Sequence, residues 1–410
     1  MKLVDVDIGR SPERSGHARL SGVVRYDDAR GGPAEEVYWF EVPDVFAGDL
    51  TETGNPWLAM LLPVAIASNE PLVLARPVDA RLLDGAEDLK RTWRAFHPDD
   101  PDVAIDADVQ EDAARAAGTR SACFFSGGVD SFHTALRPRA SRLHDLLLAL
   151  GSFDTSGGDP ASFARIEARM RHAADRLGKT LVPVTTNQMR TRRINAALAL
   201  RSAHSLLAAL ALALEHRFDR VLFSSWTDYG WLERDLDYSQ VAQLLSTRGT
   251  RFENEGAALS RVDKIAGIAD HDVVREVLRV CYESGHENNC MRCAKCLRTA
   301  VALEALGGLD RWPTFGGGRL TARQAGRTTI AALIERHYWK ELPPFCRAHG
   351  REDLARAAER VLARARLFDP FRPAVRWLRR RPMLARWTHR AEALVQDVDP
   401  LSLGPRGGAR

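Results

Sequence analysis

The sequence predicts an α/β protein: a doubly wound parallel sheet, preceded by an N-terminal α+β segment and followed by a helical, arginine-rich C-terminal region. Three observations carry that prediction. From about Gly118, short apolar runs alternate with longer amphipathic ones, the pattern of parallel strands joined by crossover helices. A Gly-Gly pair interrupts the first of these repeats between strand and helix. After Gly307 the helical period continues without a strand-like run. At 410 residues the chain exceeds one ordinary domain, and these changes of texture divide it at 1–115, 116–306 and 307–410.

Each element follows from local pattern. Ala18–Asp27 and Glu36–Val42 collect β-formers on either side of the turn-rich Ala29–Ala34, so a hairpin is expected. A helix follows Pro56, and a short strand at Pro71–Ala75 is expected to stop at Arg76–Pro77. Leu82, Leu83, Leu89 and Trp93 give Ala80–Phe96 a helical stripe, and His97–Asp102 is a loop. The α/β part predicts strands at Ala122–Phe125, Asp145–Leu150, Leu181–Thr185 and Arg220–Ser224. Helices are expected at Ser131–Leu136, Pro160–Leu177 and Ala199–His216. The last ten residues, Leu401–Arg410, read as a disordered tail.

Composition narrows the class. With 45% apolar and 27% charged residues the chain belongs with soluble globular proteins. Its apolar runs are too short for a membrane span, and acidic residues occupy the place of a signal peptide's apolar stretch, so a cytoplasmic location is expected. A net charge of +4 does not indicate nucleic acid as a partner. That charge is unevenly spread: residues 1–115 hold 12 basic against 23 acidic groups, whereas 351–410 hold 14 arginines against 7 acids. The middle of the chain is therefore basic, as a polyphosphate site favours. Only six of the 58 basic residues are lysines, so each lysine is worth placing.

The most informative segment is Ala122–Leu136. An apolar strand runs into Ser126, Gly127, Gly128, Val129, Asp130 and Ser131, then into a helix. Two glycines let the backbone turn tightly and turn successive N–H groups toward an anion, and the helix adds its positive N-terminal end. Ser126 and Ser131 carry hydroxyl donors, and Asp130 can hold a Mg²⁺ that bridges phosphates. The loop is not a GxxxxGK[ST] loop. A second cluster, Cys281, Cys290, Cys293 and Cys296, has the spacing C-x8-C-x2-C-x2-C. Two-residue gaps let thiolates converge on one ion, and four sulfurs leave no open position, so a structural Zn²⁺ is expected. An iron–sulfur cluster and unrelated buried thiols are the alternatives. His286 lies nearby, and Cys123 and Cys346 read as small apolar side chains.

The SGGVDS loop resembles that of the PP-loop ATP pyrophosphatases, which include GMP synthetase, NAD synthetase and the ligase domain of asparagine synthetase. With the four-cysteine spacing some 150 residues later, and the segment Phe252–Asp270, residues 120–305 resemble the 7-cyano-7-deazaguanine synthase (QueC)-like family. The resemblance implies the HUP-like fold of that superfamily and binding of ATP pyrophosphate by the loop. It also implies attack of a substrate carboxylate on the α-phosphorus, then transfer of ammonia or an amine to give an amide or nitrile. By the same resemblance Lys264 contacts ATP phosphates. Ser152–Asp154, after the second strand, are candidates for adenosine. Trp226, Asp228 and Tyr229 follow the fourth strand, where Asp228 could bind substrate or metal. Arg192 and Arg193, in the RTRR run, would attract an anionic acid. The chain departs from the family where it would bind its acid: Gly151–Pro160 and Arg190–His204 stand in place of a DYGQ-x-H-like and a P-G-R-N segment. The acid is therefore not expected to be 7-carboxy-7-deazaguanine bound in the family's manner.

Two other readings remain. The same activation could serve sulfur transfer to, or modification of, an RNA or protein acceptor, or the chain could be a non-catalytic zinc-stapled nucleotide-binding protein. The flanking regions leave room for a protein partner or a homo-oligomer, and no glutaminase segment is visible, so ammonia or an amine would come from outside the chain.

Overall fold

In a ten-stranded sheet, β2 (His17–Arg25) buries every second side chain, whereas Asp145–Leu150 and Thr180–Thr186 are buried along nearly their whole length. The computed structural model describes residues 1–28, 33–110, 118–137, 142–152, 160–191, 193–194, 203–231, 241–281, 288–330 and 333–367. The Leu401–Arg410 tail lies outside the described residues. Among those that are described, the chain forms two compact units. One is Met1–Ser126 with Thr134–Ala257; the other is Gly127–His133 with the described residues from Ala258 on.

The first unit contains the whole sheet. Its strands are β1 (Lys2–Arg10), β2, β3 (Glu35–Pro43), β4 (Leu72–Asp79), β5 (Ile105–Gln110), β6 (Arg120–Phe124), β7 (Asp145–Leu150), β8 (Thr180–Thr186), β9 (Phe218–Ser224) and β10 (Arg251–Glu255). Their order is β10-β9-β6-β7-β8-β3-β2-β1-β4-β5. The expected hairpin is present as β2 paired antiparallel with β3, Leu20 facing Phe40. From β10 to β8 all neighbours are parallel. The antiparallel β3–β8 pair, Phe40 opposite Thr186, joins this part to the hairpin strands. Parallel pairing returns from β1 to β4 and β5, so the sheet as a whole is α/β and mostly parallel.

The helices of this unit are α1 (Asn55–Ser68), α2 (Ala80–Phe96), the end of α3 (Val129–Leu136), α4 (Pro160–Arg176) and α5 (Ala203–Leu212). Helix α1 is apolar all round, begins with Pro56 in its first turn, ends at left-handed Asn69 and packs against α5 and β4. Asp79 caps α2, its carboxylate accepting the Arg81 N–H at 2.9 Å. One local expectation is corrected. Arg76–Pro77 does not end the strand, because β4 runs on to Asp79 with a register shift between Leu74 and Val78 that takes up the proline's missing donor.

The second unit is helical around the start of α3: α6 (Arg261–Ile268), α7 (Asp272–Val277), α8 (Ala294–Ala305), α9 (Ala322–Ala325), α10 (Leu333–Ala348) and α11 (Glu352–Arg366). Helix α10 packs on α6, α8 and α11. Ser260 caps α6 by accepting the Asp263 N–H at 3.2 Å. No described helix is long and apolar enough to cross a membrane.

Candidate functional site

In the parallel part of the sheet the strand order reverses at β6, whose neighbours are β7 and β9. In open α/β sheets, ligands bind beyond the carboxyl ends of the strands at such a reversal. β6 ends at Phe124, and Ser126 is exposed at the close of the first unit. Gly127 has a φ of 75°, a left-handed turn that an L side chain adopts only at a cost. The Gly128 carbonyl then accepts the Phe132 N–H at 3.0 Å and the Ser131 hydroxyl at 3.1 Å, so the loop passes directly into α3. Val129 is buried, and Asp130 lies in the helix's first turn, where the dipole favours a negative charge.

Within the second unit, buried cations converge on Asp130. The Arg261 guanidinium lies 2.5 Å from one carboxylate oxygen and the Lys264 ammonium 3.4 Å from the other. Arg261 and Lys264 are one turn apart on α6 and are 7% and 2% exposed. Burial alone would raise the Asp130 pKa; the Arg261 and Lys264 charges outweigh it and hold the carboxyl below its ordinary value, with Lys295 adding in the same direction. The Arg261 guanidinium stacks 4.9 Å above the Tyr338 ring, and Arg298, paired with Glu335 at 2.5 Å, lies 4.1 Å from the same ring. Burial pushes the Tyr338 hydroxyl up, so it stays neutral, and its oxygen accepts from the Arg261 guanidinium. Glu341 accepts the Val262 N–H at 3.1 Å and steadies the first turn of α6. The cluster presents a glycine turn, a helix start and a concentration of positive charge in one unit, which suits an anion with several oxygens.

The other predicted residues lie in the first unit. Ser152 is 1% exposed and follows Gly151, whose φ is 79° and which allows the chain to pass close to the Thr186 carbonyl. Trp226 and Asp228 follow β9 and are half-buried. The indole packs 5.2 Å from the His204 ring, and the Asp228 carboxylate accepts the Gly230 N–H at 2.7 Å. Ser126, Ser152 and Trp226 thus come after strands that end on one edge of the sheet. Arg193 is built in: its guanidinium stacks 3.7 Å over Tyr26, donates to the Asp28 and Pro33 carbonyls, and lies 3.9 Å from Glu70. Arg192, Asp154 and His286 lie outside the described residues.

The four cysteines come together as their spacing requires. Their sulfurs all lie within 4.8 Å of one another, and those of Cys290 and Cys296 are 3.9 Å apart. A disulfide needs about 2.05 Å. A tetrahedron with bonds of about 2.3 Å separates its sulfurs by about 3.8 Å. Backbone N–H groups point at the sulfurs as they do at thiolates: Arg292 and Cys293 toward Cys290 at 3.4 and 3.3 Å, and Cys296 toward Cys293 at 3.4 Å. The turn is closed by Met291 at a φ of 54°. Without a cation, a hydrogen bond with Cys281 pushes the Cys293 thiol up to about 11 and Cys296 higher still. These residues can hold one metal ion of tetrahedral, sulfur-loving type.

Arg261, Tyr338 and Arg298 were not singled out from the sequence. The usable signal was position: Arg261 stands one helical turn before Lys264, on the same face of a short helix with a serine cap. No family model, no curated protein and no solved structure matches the chain.

Proposed function

We propose that the chain is an AMP-forming, ATP-dependent carbon–nitrogen ligase of the PP-loop type, with the HUP-like fold of that superfamily and a QueC-like order of motifs. The observation that carries the reading is the pairing of Arg261 and Lys264 with Asp130 at the start of α3, directly after a left-handed glycine. Three further features support it: the loop follows β6 at the reversal of strand order, the cysteines are grouped for one ion, and the residues around Asp130 are rich in cations.

In this reading Ser126–Ser131 hold the β- and γ-phosphates of ATP. Arg261 and Lys264 turn from Asp130 toward the phosphates and offset the charge that gathers on the leaving pyrophosphate. Asp130, so released, would hold Mg²⁺, which supplies charge neutralisation between the phosphates. A carboxylate oxygen of the substrate attacks the α-phosphorus; the new O–P bond forms as the bond to pyrophosphate breaks. An amine or ammonia then attacks the acyl carbon and AMP departs with the bonding pair. Ser152 would contact adenosine, and Trp226 and Asp228 would contact the acid. Zn²⁺ at Cys281, Cys290, Cys293 and Cys296 would be structural.

Sulfur transfer needs a thiol that ionises outside the metal cluster. Burial pushes Cys123 up to about 12 and Cys346 up to about 11, which favours nitrogen over sulfur as the nucleophile. The test is product analysis with ATP, Mg²⁺, ammonium and a panel of carboxylic acids that includes 7-carboxy-7-deazaguanine. Acid-dependent AMP and pyrophosphate are expected, and Asp130→Ala should abolish them. Formation of ADP and phosphate, or AMP formation unchanged by Asp130→Ala, would overturn the proposal.

A further inference from the structure

We infer that Asn289 is a positioning residue through which the four-cysteine site sets the phosphate loop. The inference rests on the reading of Gly127–Ser131 as that loop. Asn289 directly precedes Cys290 and is buried. Its side-chain amide is fully engaged. The oxygen accepts the Val280 N–H at 2.8 Å, and the nitrogen donates to the Leu278 carbonyl at 3.0 Å and the Thr314 carbonyl at 3.2 Å. Its backbone N–H donates to the Thr314 carbonyl at 2.9 Å, and the same side-chain oxygen lies 3.8 Å from the Cys296 sulfur. Thr314 returns the support by donating its hydroxyl to the Leu278 carbonyl at 2.8 Å.

These bonds grip the two residues on either side of Arg279, and the next residue but one, Cys281, is itself one of the four sulfur donors. The segment 278–281 is therefore held along its length by the cysteine site and by the amide beside it. The Arg279 backbone N–H donates to the Gly127 carbonyl at 3.1 Å. The peptide between Gly127 and Gly128 is trans and planar, so a carbonyl fixed toward Arg279 directs the Gly128 N–H the opposite way. That N–H is a donor the loop offers to phosphate. Gly127 is left-handed and has no side chain to restrict it, so the Arg279 bond is what holds this peptide against rotation. The path runs from cysteine sulfur through Asn289 to Arg279 and then to the loop peptide, and every contact in it lies in one compact unit.

The experiment uses the full-length protein loaded with Co²⁺, whose visible spectrum reports the sulfur site directly. It compares wild type, Asn289→Ala and Asn289→Asp. Three quantities are read: the cobalt spectrum, hydrogen exchange in the peptide covering Gly127–Asp130, and the dissociation constant for ATP with Mg²⁺. In Asn289→Ala the expected result is a retained cobalt spectrum, faster exchange in the loop, and ATP binding weakened by about tenfold, in the range seen when support around a metal site is lost. Removing the metal should speed loop exchange strongly in wild type but little further in Asn289→Ala, a non-additivity that a merely structural role would not produce. Wild-type loop exchange in an Asn289→Ala protein that keeps its cobalt spectrum would overturn the inference. If Asn289→Ala loses the site, Asn289→Asp decides by the same two outcomes, since it keeps the acceptor for the Val280 N–H and removes only the donors to the Leu278 and Thr314 carbonyls. If wild type binds no ATP, the phosphate-loop reading fails, while the exchange measurement still decides the coupling.

Discussion

Asp130 is charged in a place that burial alone would make neutral. Arg261 and Lys264 reverse that balance, so the stabilisation from its ionised form is complete above the ordinary carboxylate range and is lost as pH falls through its depressed pKa. Replacing Arg261 by Met leaves a largely buried carboxylate with Lys264 alone, and the expected cost is about 3 kcal/mol at neutral pH. The acid limb of the stability curve should move to higher pH in the same variant; denaturant titrations across pH check both. His204 acts in a separate window. Burial pushes its imidazole down to about 3 from an ordinary 6.5, so the unfolded chain binds the extra proton between those values. Stability is therefore complete above about pH 6.5 and falls toward pH 3, by up to about 1.4 kcal/mol per pH unit. His204→Leu should flatten that slope, and an unchanged slope would locate the titration elsewhere. Lysine scarcity made Lys264 legible in the sequence, one of six. Arg261 was hidden among 52 arginines and is distinguished only by the helix face it shares with Lys264.

At the scale of elements, helix α8 begins at the four-cysteine cluster: Cys293 is its cap, with the Cys296 N–H pointing at its sulfur. Cys293→Ser keeps a good capping oxygen but removes a thiolate. The variant should therefore lose its metal by elemental analysis and melt roughly 10 °C lower, the shift that about 3–4 kcal/mol produces in a unit of this size. A normal metal content in this variant would show that the fourth sulfur is dispensable. Elements with a strong apolar signal were legible, the unbroken run of β7 and the helical stripes of α2 and α4 among them. The edge strands β5 and β10 were not. IDADVQ and RFENE carry the charges that protect sheet edges, and those charges erase the hydrophobic signal that marks a strand. The sequence pattern stops β4 at Arg76–Pro77, but a proline that ends a central strand is tolerated at a register shift.

For the whole molecule, the alternation from β6 to β9 was enough to predict a parallel sheet, because crossover geometry leaves few alternatives. The antiparallel junction of β3 with β8 was not readable. It rests on two residue pairs across about 145 residues of chain, and local pattern says nothing about which distant edges meet. The site was legible in the same uneven way. Contiguous motifs, the glycine loop and the cysteine knuckle, could be found as strings, whereas the cluster of Arg261, Tyr338 and Arg298 exists only once three helices pack.

A crystal structure with α,β-methylene-ATP and Mg²⁺ decides whether Gly127–Ser131 with Arg261 and Lys264 forms a site for the pyrophosphate part of ATP. The β- and γ-phosphate oxygens are expected on the Gly128 and Ser131 N–H groups, with Arg261 and Lys264 drawn from Asp130 onto the phosphates. A nucleotide bound elsewhere, with Arg261 still paired to Asp130, would contradict it.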